Sequence, residues 1–196
     1  MKQADILVLG HPRGGTGYMA KLLQQLGLDV RHEVHGKHGT ANWMYAARSE
    51  YKPWNAQDNT QRYYRHVLHV IREPVSCIAS VAHTENKRKK SLAFRRQYIY
   101  LPREVNHIRQ AVYSYIGWHK LIKSWAPDVT VKCGQAAGDT WTYLAAQGYD
   151  VKFLNEDLPP VNTRQHPSLS YSDIKANIEK PLRGELDRYI DYYNSL

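Results

Sequence analysis

The amino-acid sequence predicts an α/β fold of three layers, in which a central, mainly parallel sheet lies between two layers of helices. Residues 6–9 and 67–71 are short and almost entirely apolar, which is the pattern of strands that are buried on both faces. Each run is followed by a loop and then by apolar residues at helical spacing. Strand, loop and helix units that recur along a chain are typical of a parallel sheet covered on both sides.

The remaining elements follow from the same two patterns. Strands are predicted at residues 6–9, 28–30, 67–71, 129–131 and 151–154. Helices are predicted at residues 18–26, 74–81 and 105–125, around Trp141, and at residues 172–193, where the helix is interrupted or kinked near Pro181. The segments 31–39 and 41–65 receive no element. Since parallel strands end at the same edge of a sheet, we expect the loops after Leu9, Val30 and Ile71 to converge on one site.

Length and composition predict a single folded domain over residues 1–196. Hydrophobic residues make up 42% and charged residues 23% of the chain, as in ordinary globular proteins. Cys77 and Cys133 are too few for a disulfide framework, and no Cys or His cluster has the spacing of a metal site. No apolar run has the length of a membrane span, so the prediction is a cytoplasmic protein. The net charge of +9 indicates anionic partners.

One glycine-rich loop has the features of a phosphate site. Between the first strand and the first helix the chain reads Gly10-His11-Pro12-Arg13-Gly14-Gly15-Thr16-Gly17-Tyr18. The N-terminus of a helix favours an anion because its backbone N–H groups have no partners within the helix. In the nucleotide-hydrolase pattern G-x-x-x-x-G-K-[ST] both glycines match, but Thr16 replaces the lysine and Gly17 replaces the magnesium-binding hydroxyl. Arg13 is the cation placed to contact two phosphate oxygens.

These loop residues carry a family resemblance. Residues 12–18 resemble the 5′-phosphosulfate loop of the sulfotransferases that use 3′-phosphoadenosine 5′-phosphosulfate (PAPS), whose usual form is P-[KR]-S-G-T-T-[WY]. The chain departs from that form at Gly14 and Gly17, where the family more often has Ser and Thr. The resemblance implies that the donor is bound by Arg13, Gly14, Gly15, Thr16, Gly17 and Tyr18.

A second segment strengthens the resemblance. Residues 69–80 look like the family's 3′-phosphate segment, in which a strand ends in Arg-x-Pro and a serine follows eight residues after the arginine. Arg72 would supply charge and Ser80 a directed hydrogen bond to one phosphate. Taken singly, Arg72 could instead be a surface ion-pair partner and Ser80 a small packing residue.

The loop of residues 31–39 supplies candidates for acid–base chemistry. Sulfuryl transfer needs a base for the acceptor's proton and a cation for the leaving phosphate. Several sulfotransferases carry a glutamate base at this place, so the resemblance implies Glu33 as the base, with His32 as the second candidate and Arg13 as the cation. The alternative for Glu33 is a helix-cap or salt-bridge role. His35 and His38 are expected to be ordinary loop histidines.

The resemblance as a whole implies a P-loop NTPase-like fold and a sulfotransferase activity. The chain resembles a short, bacterial or phage-like member that transfers a sulfuryl group from PAPS to an acceptor hydroxyl or amine, with no metal required. The likeness covers residues 6–43 and 66–84, is looser over residues 150–175, and is absent between residues 85 and 130. We expect that last region to contact a small-molecule or glycan acceptor.

Two alternatives stay open from the sequence. The first is a P-loop nucleotide kinase-like enzyme, which would bind ATP with magnesium. The second is a non-enzymatic nucleic-acid-binding protein that uses the basic stretch Lys87, Arg88, Lys89, Lys90, Arg95 and Arg96 with Tyr98 and Tyr100. An anionic acceptor would use the same basic stretch, and a nucleic acid is the less favoured partner.

Overall fold

The computed structural model describes residues 2–47, 62–103, 106–156, 158–159 and 164–196. The chain divides into two compact units: a sheet unit of Met1–Ile71 and Ile122–Thr163, and a helical unit of Arg72–Leu121 and Arg164–Leu196. The single domain predicted from the sequence stays a prediction, because compactness alone does not decide whether a unit folds independently.

In the ranges that the structure describes, five strands and seven α-helices form the framework. The strands are β1 (Lys2–Gly10), β2 (Val30–His32), β3 (Gly39–Ala41), β4 (Arg62–Ile71) and β5 (Val129–Lys132). The α-helices are α1 (Thr16–Gln25), α2 (Pro74–Ser80), α3 (Lys89–Arg96), α4 (His107–Lys123), α5 (Ala137–Ala146), α6 (Tyr171–Ala176) and α7 (Lys180–Ser195). A 3-10 helix covers Trp43–Ala47, and a π-helical turn covers Val81–Glu85.

All five strands of the sheet unit are parallel, in the order β2-β3-β1-β4-β5. The α/β class and the parallel sheet predicted from the sequence are therefore confirmed. Ile6, Leu7, Val8 and Leu9 of β1 are all fully buried, which explains why this central strand reads as a continuous apolar run. Within the sheet unit α1 and α5 contribute to one core with β1 and β4, through residues such as Met19, Leu22, Leu144, Val8 and Val70.

Strand β3 is an element that the sequence analysis missed. It pairs with β1 on one side and with β2 on the other, and it lies in the stretch around residues 31–65 that received no strand. At Gly39 the φ angle is 149°, and a Cβ atom there would lie 1.8 Å from the carbonyl oxygen of Ile6. Only glycine permits this close approach of two backbones. Residues 48–61 of the same stretch lie outside the described residues.

Two strand predictions need correction. The second strand was expected at residues 28–30, but β2 begins at Val30 and extends to His32, into the predicted loop. The strand predicted at residues 151–154 is wrong. The Val151 carbonyl accepts a hydrogen bond from the Trp141 indole (3.3 Å), and the Lys152 N–H donates to the Leu26 carbonyl (3.0 Å). These single contacts fix the segment against the core without a strand partner.

In the helical unit, local sequence signals set the ends of the helices. Pro74 occupies the first turn of α2, and the Glu73 carboxylate accepts hydrogen bonds from the N–H groups of Val75 and Ser76. The break expected near Pro181 is confirmed, since α6 ends at Ala176 and α7 begins at Lys180 with the proline in its first turn. None of the helices in the described residues has the length and apolar character that a membrane crossing requires.

Candidate functional site

The glycine-rich loop of the sheet unit is a tight turn between β1 and α1. The Gly14 N–H donates to the His11 carbonyl at 2.7 Å and closes the turn. A Cβ atom on Gly14 would lie 2.7 Å from the same carbonyl oxygen and 2.9 Å from the His11 nitrogen. Because both neighbours are backbone atoms, they cannot move aside. Glycine at this position, one of the two departures from the sulfotransferase pattern, is therefore required by this loop.

The loop leads into a helix N-terminus that no side chain caps. Gly15 is the N-cap residue of α1, with φ of 111°, and α1 begins at Thr16. Its first turn contains no acidic residue. An N-terminus of this kind presents N–H groups and the positive end of the helix dipole, which together favour a bound anion. Gly17 and Tyr18, the other residues implied by the resemblance, lie in the same first turn.

Two candidate site residues have strained backbones. In the described part of the chain, the non-glycine residues with positive φ are Arg13 (66°), Glu33 (59°) and Ala126 (48°). Each such residue costs of order 1–2 kcal/mol relative to an ordinary conformation. Conformations of this kind cluster at active sites and ligand clamps. The residues that the sequence analysis chose as leaving-group cation and as base are both among the three.

A chain of polar contacts joins the start of α1 to the loop after β2. Thr16 Oγ1 and His32 Nε2 form a hydrogen bond of 3.2 Å, and His32 Nε2 lies 3.9 Å from Glu33 Oε1. The Trp43 indole N–H donates to the same Oε1 at 3.1 Å. Both His32 and Glu33 are half-buried. The fold thus brings together side chains that the sequence analysis selected from two separate loops.

The environment of His32 favours the neutral imidazole. Burial lowers the pKa of His32 below its usual value of 6.5, the Glu33 carboxylate opposes that shift, and the positive charge of Arg13 adds to it. The electrostatic influence of Arg13 on His32 also indicates that the guanidinium acts on this group of residues. A neutral imidazole can accept the Thr16 hydroxyl proton in a hydrogen bond.

The residues of the predicted 3′-phosphate segment belong to the helical unit. An Nη of Arg72 donates to Ser76 Oγ at 2.6 Å. Ser80 is buried at the end of α2, and its carbonyl accepts a hydrogen bond from Thr84 Oγ1 at 2.6 Å. Ser76 and Ser80 are four residues apart, so they lie on the same face of α2.

Two polar residues at these places, Ser76 and Trp43, were not predicted from the sequence. Ser76 could have been found, because it precedes Ser80 by one helical turn. Trp43 gave no signal, because its contact with Glu33 depends on a 3-10 helix ten residues away.

The other histidines of the loop between β2 and β3 have structural partners. His38 Nδ1 accepts a hydrogen bond from the Asp29 N–H at 2.8 Å, and His35 Nε2 lies 3.1 Å from the Tyr45 hydroxyl. Over the described residues, no three His, Cys, Asp or Glu side chains are arranged to hold a metal ion.

No protein-family model matches the chain, and no curated protein sequence matches it.

Proposed function

We propose that the chain is a PAPS-dependent sulfotransferase with a P-loop type of phosphate site. The observation that carries the proposal is the group of Arg13, Thr16, His32 and Glu33 in the sheet unit, gathered at the uncapped start of α1. An anion site, a cation and an acid–base pair are the parts that sulfuryl transfer requires.

The loop fits the 5′-phosphate end of the donor. Gly14 and Gly15 have no room for a side chain, and the backbone N–H groups at the uncapped start of α1 are the donors that a phosphate would use. Thr16 can add a hydroxyl donor, and its contact with His32 fixes the direction of that hydroxyl. Arg13 can neutralise the charge that develops on the phosphate when the sulfuryl group leaves.

The proposed reaction is a transfer in which the donor supplies the sulfuryl group. The acceptor oxygen or nitrogen forms a bond to sulfur, the bond between sulfur and the bridging phosphate oxygen breaks, and its electron pair stays on the phosphate. Glu33 takes the acceptor proton. The hydrogen bond from Trp43 holds Oε1 of that carboxylate in place, and the neutral His32 beside it is the second candidate for the same role.

Arg72 and Ser80 are proposed to bind the donor's 3′-phosphate. The guanidinium of Arg72 already forms one hydrogen bond to a hydroxyl, that of Ser76, at the start of α2. An arginine that bonds a serine can exchange that neutral partner for a phosphate at a gain, because hydrogen bonds between charged groups are the stronger ones.

Binding of the desulfated donor, 3′-phosphoadenosine 5′-phosphate, tests the proposal. Calorimetry with EDTA present should give a binding isotherm and a raised melting temperature. Arg72→Ala should weaken binding roughly 10- to 100-fold, the range for a charged hydrogen bond. Arg188→Ala, which removes an exposed arginine of α7, is the matched control and should have no effect.

The same measurement separates the alternatives. A kinase-like enzyme would bind ATP in a magnesium-dependent manner and would show no preference for the 3′-phosphate. Absence of any thermal shift at millimolar 3′-phosphoadenosine 5′-phosphate would contradict the proposal.

Transfer activity gives the second test. With labelled donor and a panel of hydroxyl and amine acceptors, Glu33→Gln should reduce kcat by about 100-fold or more while donor affinity stays unchanged. A Glu33→Gln enzyme with full kcat would move the role of base to His32.

A further inference from the structure

The positive charge of this protein is concentrated in one segment. Residues 86–127 contain ten Lys or Arg residues and a single acidic residue, Glu104. Basic and acidic residues balance over the rest of the chain, so this segment accounts for the whole net charge of +9. The proposed phosphate residues lie outside the segment, and they do not use its charge.

Five of these cations form an exposed surface at and around α3, which we call the basic face. Its members are Lys87, Arg88, Lys89, Lys90 and Arg96. None of the five forms an ion pair with a carboxylate among the described residues, whereas Arg109 and Lys120 of α4 pair with Glu179 and Glu185. The basic face therefore keeps its charge available.

A buried arginine fixes the basic face to the helical unit. Arg95 is fully buried, and its guanidinium donates to Ser114 Oγ of α4 (2.7 Å) and to Asn86 Oδ1 before α3 (2.9 Å). Burial lowers the pKa of Arg95 to about 10, so it still carries its charge at neutral pH. Phe94 lies beside it against Trp118. The basic face is thus part of an ordered helix with an anchored inner side, and not a mobile basic tail.

The cations at the start of α3 destabilise that end of the helix. Arg88 is the N-cap of α3, Lys89 and Lys90 follow it, and the first turn has no acidic residue. Cations at a helix N-terminus oppose the helix dipole, and neighbouring cations repel one another. A partner with several negative charges would offset both effects.

We propose that the basic face binds a linear anionic polysaccharide that carries carboxylates or sulfates. Single-stranded nucleic acid is disfavoured because its successive bases need several stacking rings, whereas Tyr98 packs on Phe94 at 5.2 Å between ring centroids and Tyr100 is the exposed ring near the basic face. A membrane surface is disfavoured because Ala93 is the exposed apolar residue of α3, too small to insert into lipid.

The composition of the basic face agrees with this choice. Three of its five cations are lysines, which act as point charges and need no fixed bidentate geometry from the carboxylates or sulfates of the polysaccharide. If the proposed function holds, such a polysaccharide is also the acceptor class, since its hydroxyls can receive a sulfuryl group.

Calorimetry with defined polyuronate oligosaccharides tests the surface. The variant Lys87→Ala/Lys89→Ala/Lys90→Ala removes three charges from the basic face. Lys21→Ala/Lys37→Ala/Lys152→Ala removes three charges from exposed positions of the sheet unit and is the matched control. At about 50 mM salt, the first variant should bind the polyuronate at least about tenfold more weakly than wild type, and the control within about twofold. The melting temperature of each variant verifies its fold.

The outcomes separate this surface from the proposed enzyme. Equal losses of polyuronate affinity in the two variants would overturn the proposed role of the basic face. Tighter binding of duplex DNA, single-stranded DNA or phosphatidylserine vesicles than of the polyuronate would overturn it as well. Binding of 3′-phosphoadenosine 5′-phosphate should be the same in wild type and both variants. If wild type fails to bind that nucleotide but binds the polyuronate through the three lysines, the proposed function is wrong and the proposed polysaccharide binding by the basic face is supported.

Discussion

Substitution of Gly15 by alanine tests the geometry of the loop on which the functional argument depends. Gly15 has φ of 111° and caps α1. A Cβ atom there would lie 2.6 Å from the Sγ atom and 2.9 Å from the Cβ atom of Cys133. Gly15→Ala therefore lowers the free energy of unfolding in two ways. The alanine must adopt a left-handed backbone conformation, and its Cβ atom overlaps with Cys133.

The two costs can be estimated separately. A non-glycine residue in the left-handed region costs roughly 1–2 kcal/mol. Insertion of a methyl group into a packed place costs typically about 1–3 kcal/mol. The sum is about 2–5 kcal/mol. For a chain of this size each kcal/mol lowers the melting temperature by roughly 2–4 °C, so Gly15→Ala should melt about 4–20 °C below wild type.

Gly27→Ala separates these costs experimentally. Gly27 has φ of 100°, and no atom lies within 4 Å of a Cβ atom built there, so its replacement incurs the backbone cost alone. In urea titrations Gly15→Ala should lose about 1–3 kcal/mol more than Gly27→Ala. Addition of Cys133→Ala to Gly15→Ala should recover part of that excess, since Sγ is the nearest atom. Equal losses at the two glycines, or no recovery, would refute the placement of the loop against Cys133, the residue directly after β5.

Three further outcomes are expected. Burial lowers the pKa of His69 to about 3. Between about pH 6.5 and pH 3 the unfolded state therefore binds one proton that the folded state does not bind. The free energy of unfolding should fall over this range as the pH drops, by up to about 1.4 kcal/mol per pH unit. His69→Gln should flatten that slope in urea titrations at several pH values. Trp43→Phe removes the indole donor to Glu33 and should lower kcat about tenfold with donor affinity unchanged, as single-turnover kinetics would detect. Arg13→Gly removes the strain of a non-glycine residue at φ of 66° and should leave the free energy of unfolding within about 1 kcal/mol of wild type. Calorimetry should show that the variant binds 3′-phosphoadenosine 5′-phosphate roughly 10- to 100-fold more weakly.

The sequence predicts those strands whose signal is local. β1 and β4 are buried on both faces and therefore read as apolar runs, and β5 has alternating valines. β3 has the sequence Gly-Thr-Ala, with little intrinsic preference for a strand, and it exists because β1 and β2 both pair with it. The opposite holds for residues 151–154, where the composition predicts a strand that the structure does not contain. Their β-branched and aromatic composition predicts a strand, but their backbone groups bond to an indole and to the chain after α1.

The candidate site was predictable where it depends on strand ends. Parallel strands end at one edge of a sheet, so Thr16 after β1 and His32 at the end of β2 were expected to be neighbours, and they share a hydrogen bond. Trp43 could not be predicted, because its place is set by β3, which the sequence does not reveal. The steric need for Gly14 was also hidden, since it arises from the backbone of His11 in the folded turn.

The strained backbones of Arg13 and Glu33 bear on why these residues are present at all. A position with φ near 60° is most easily occupied by glycine or asparagine, and a long charged side chain there lowers stability. If the two loops served only to connect β1 to α1 and β2 to β3, glycine would occupy these positions with less strain. The sequence instead has a cation in one loop and a carboxylate in the other, and both act electrostatically on His32. Under the proposed function, sulfuryl transfer requires these charges at these places and would account for a strain that the fold itself does not need.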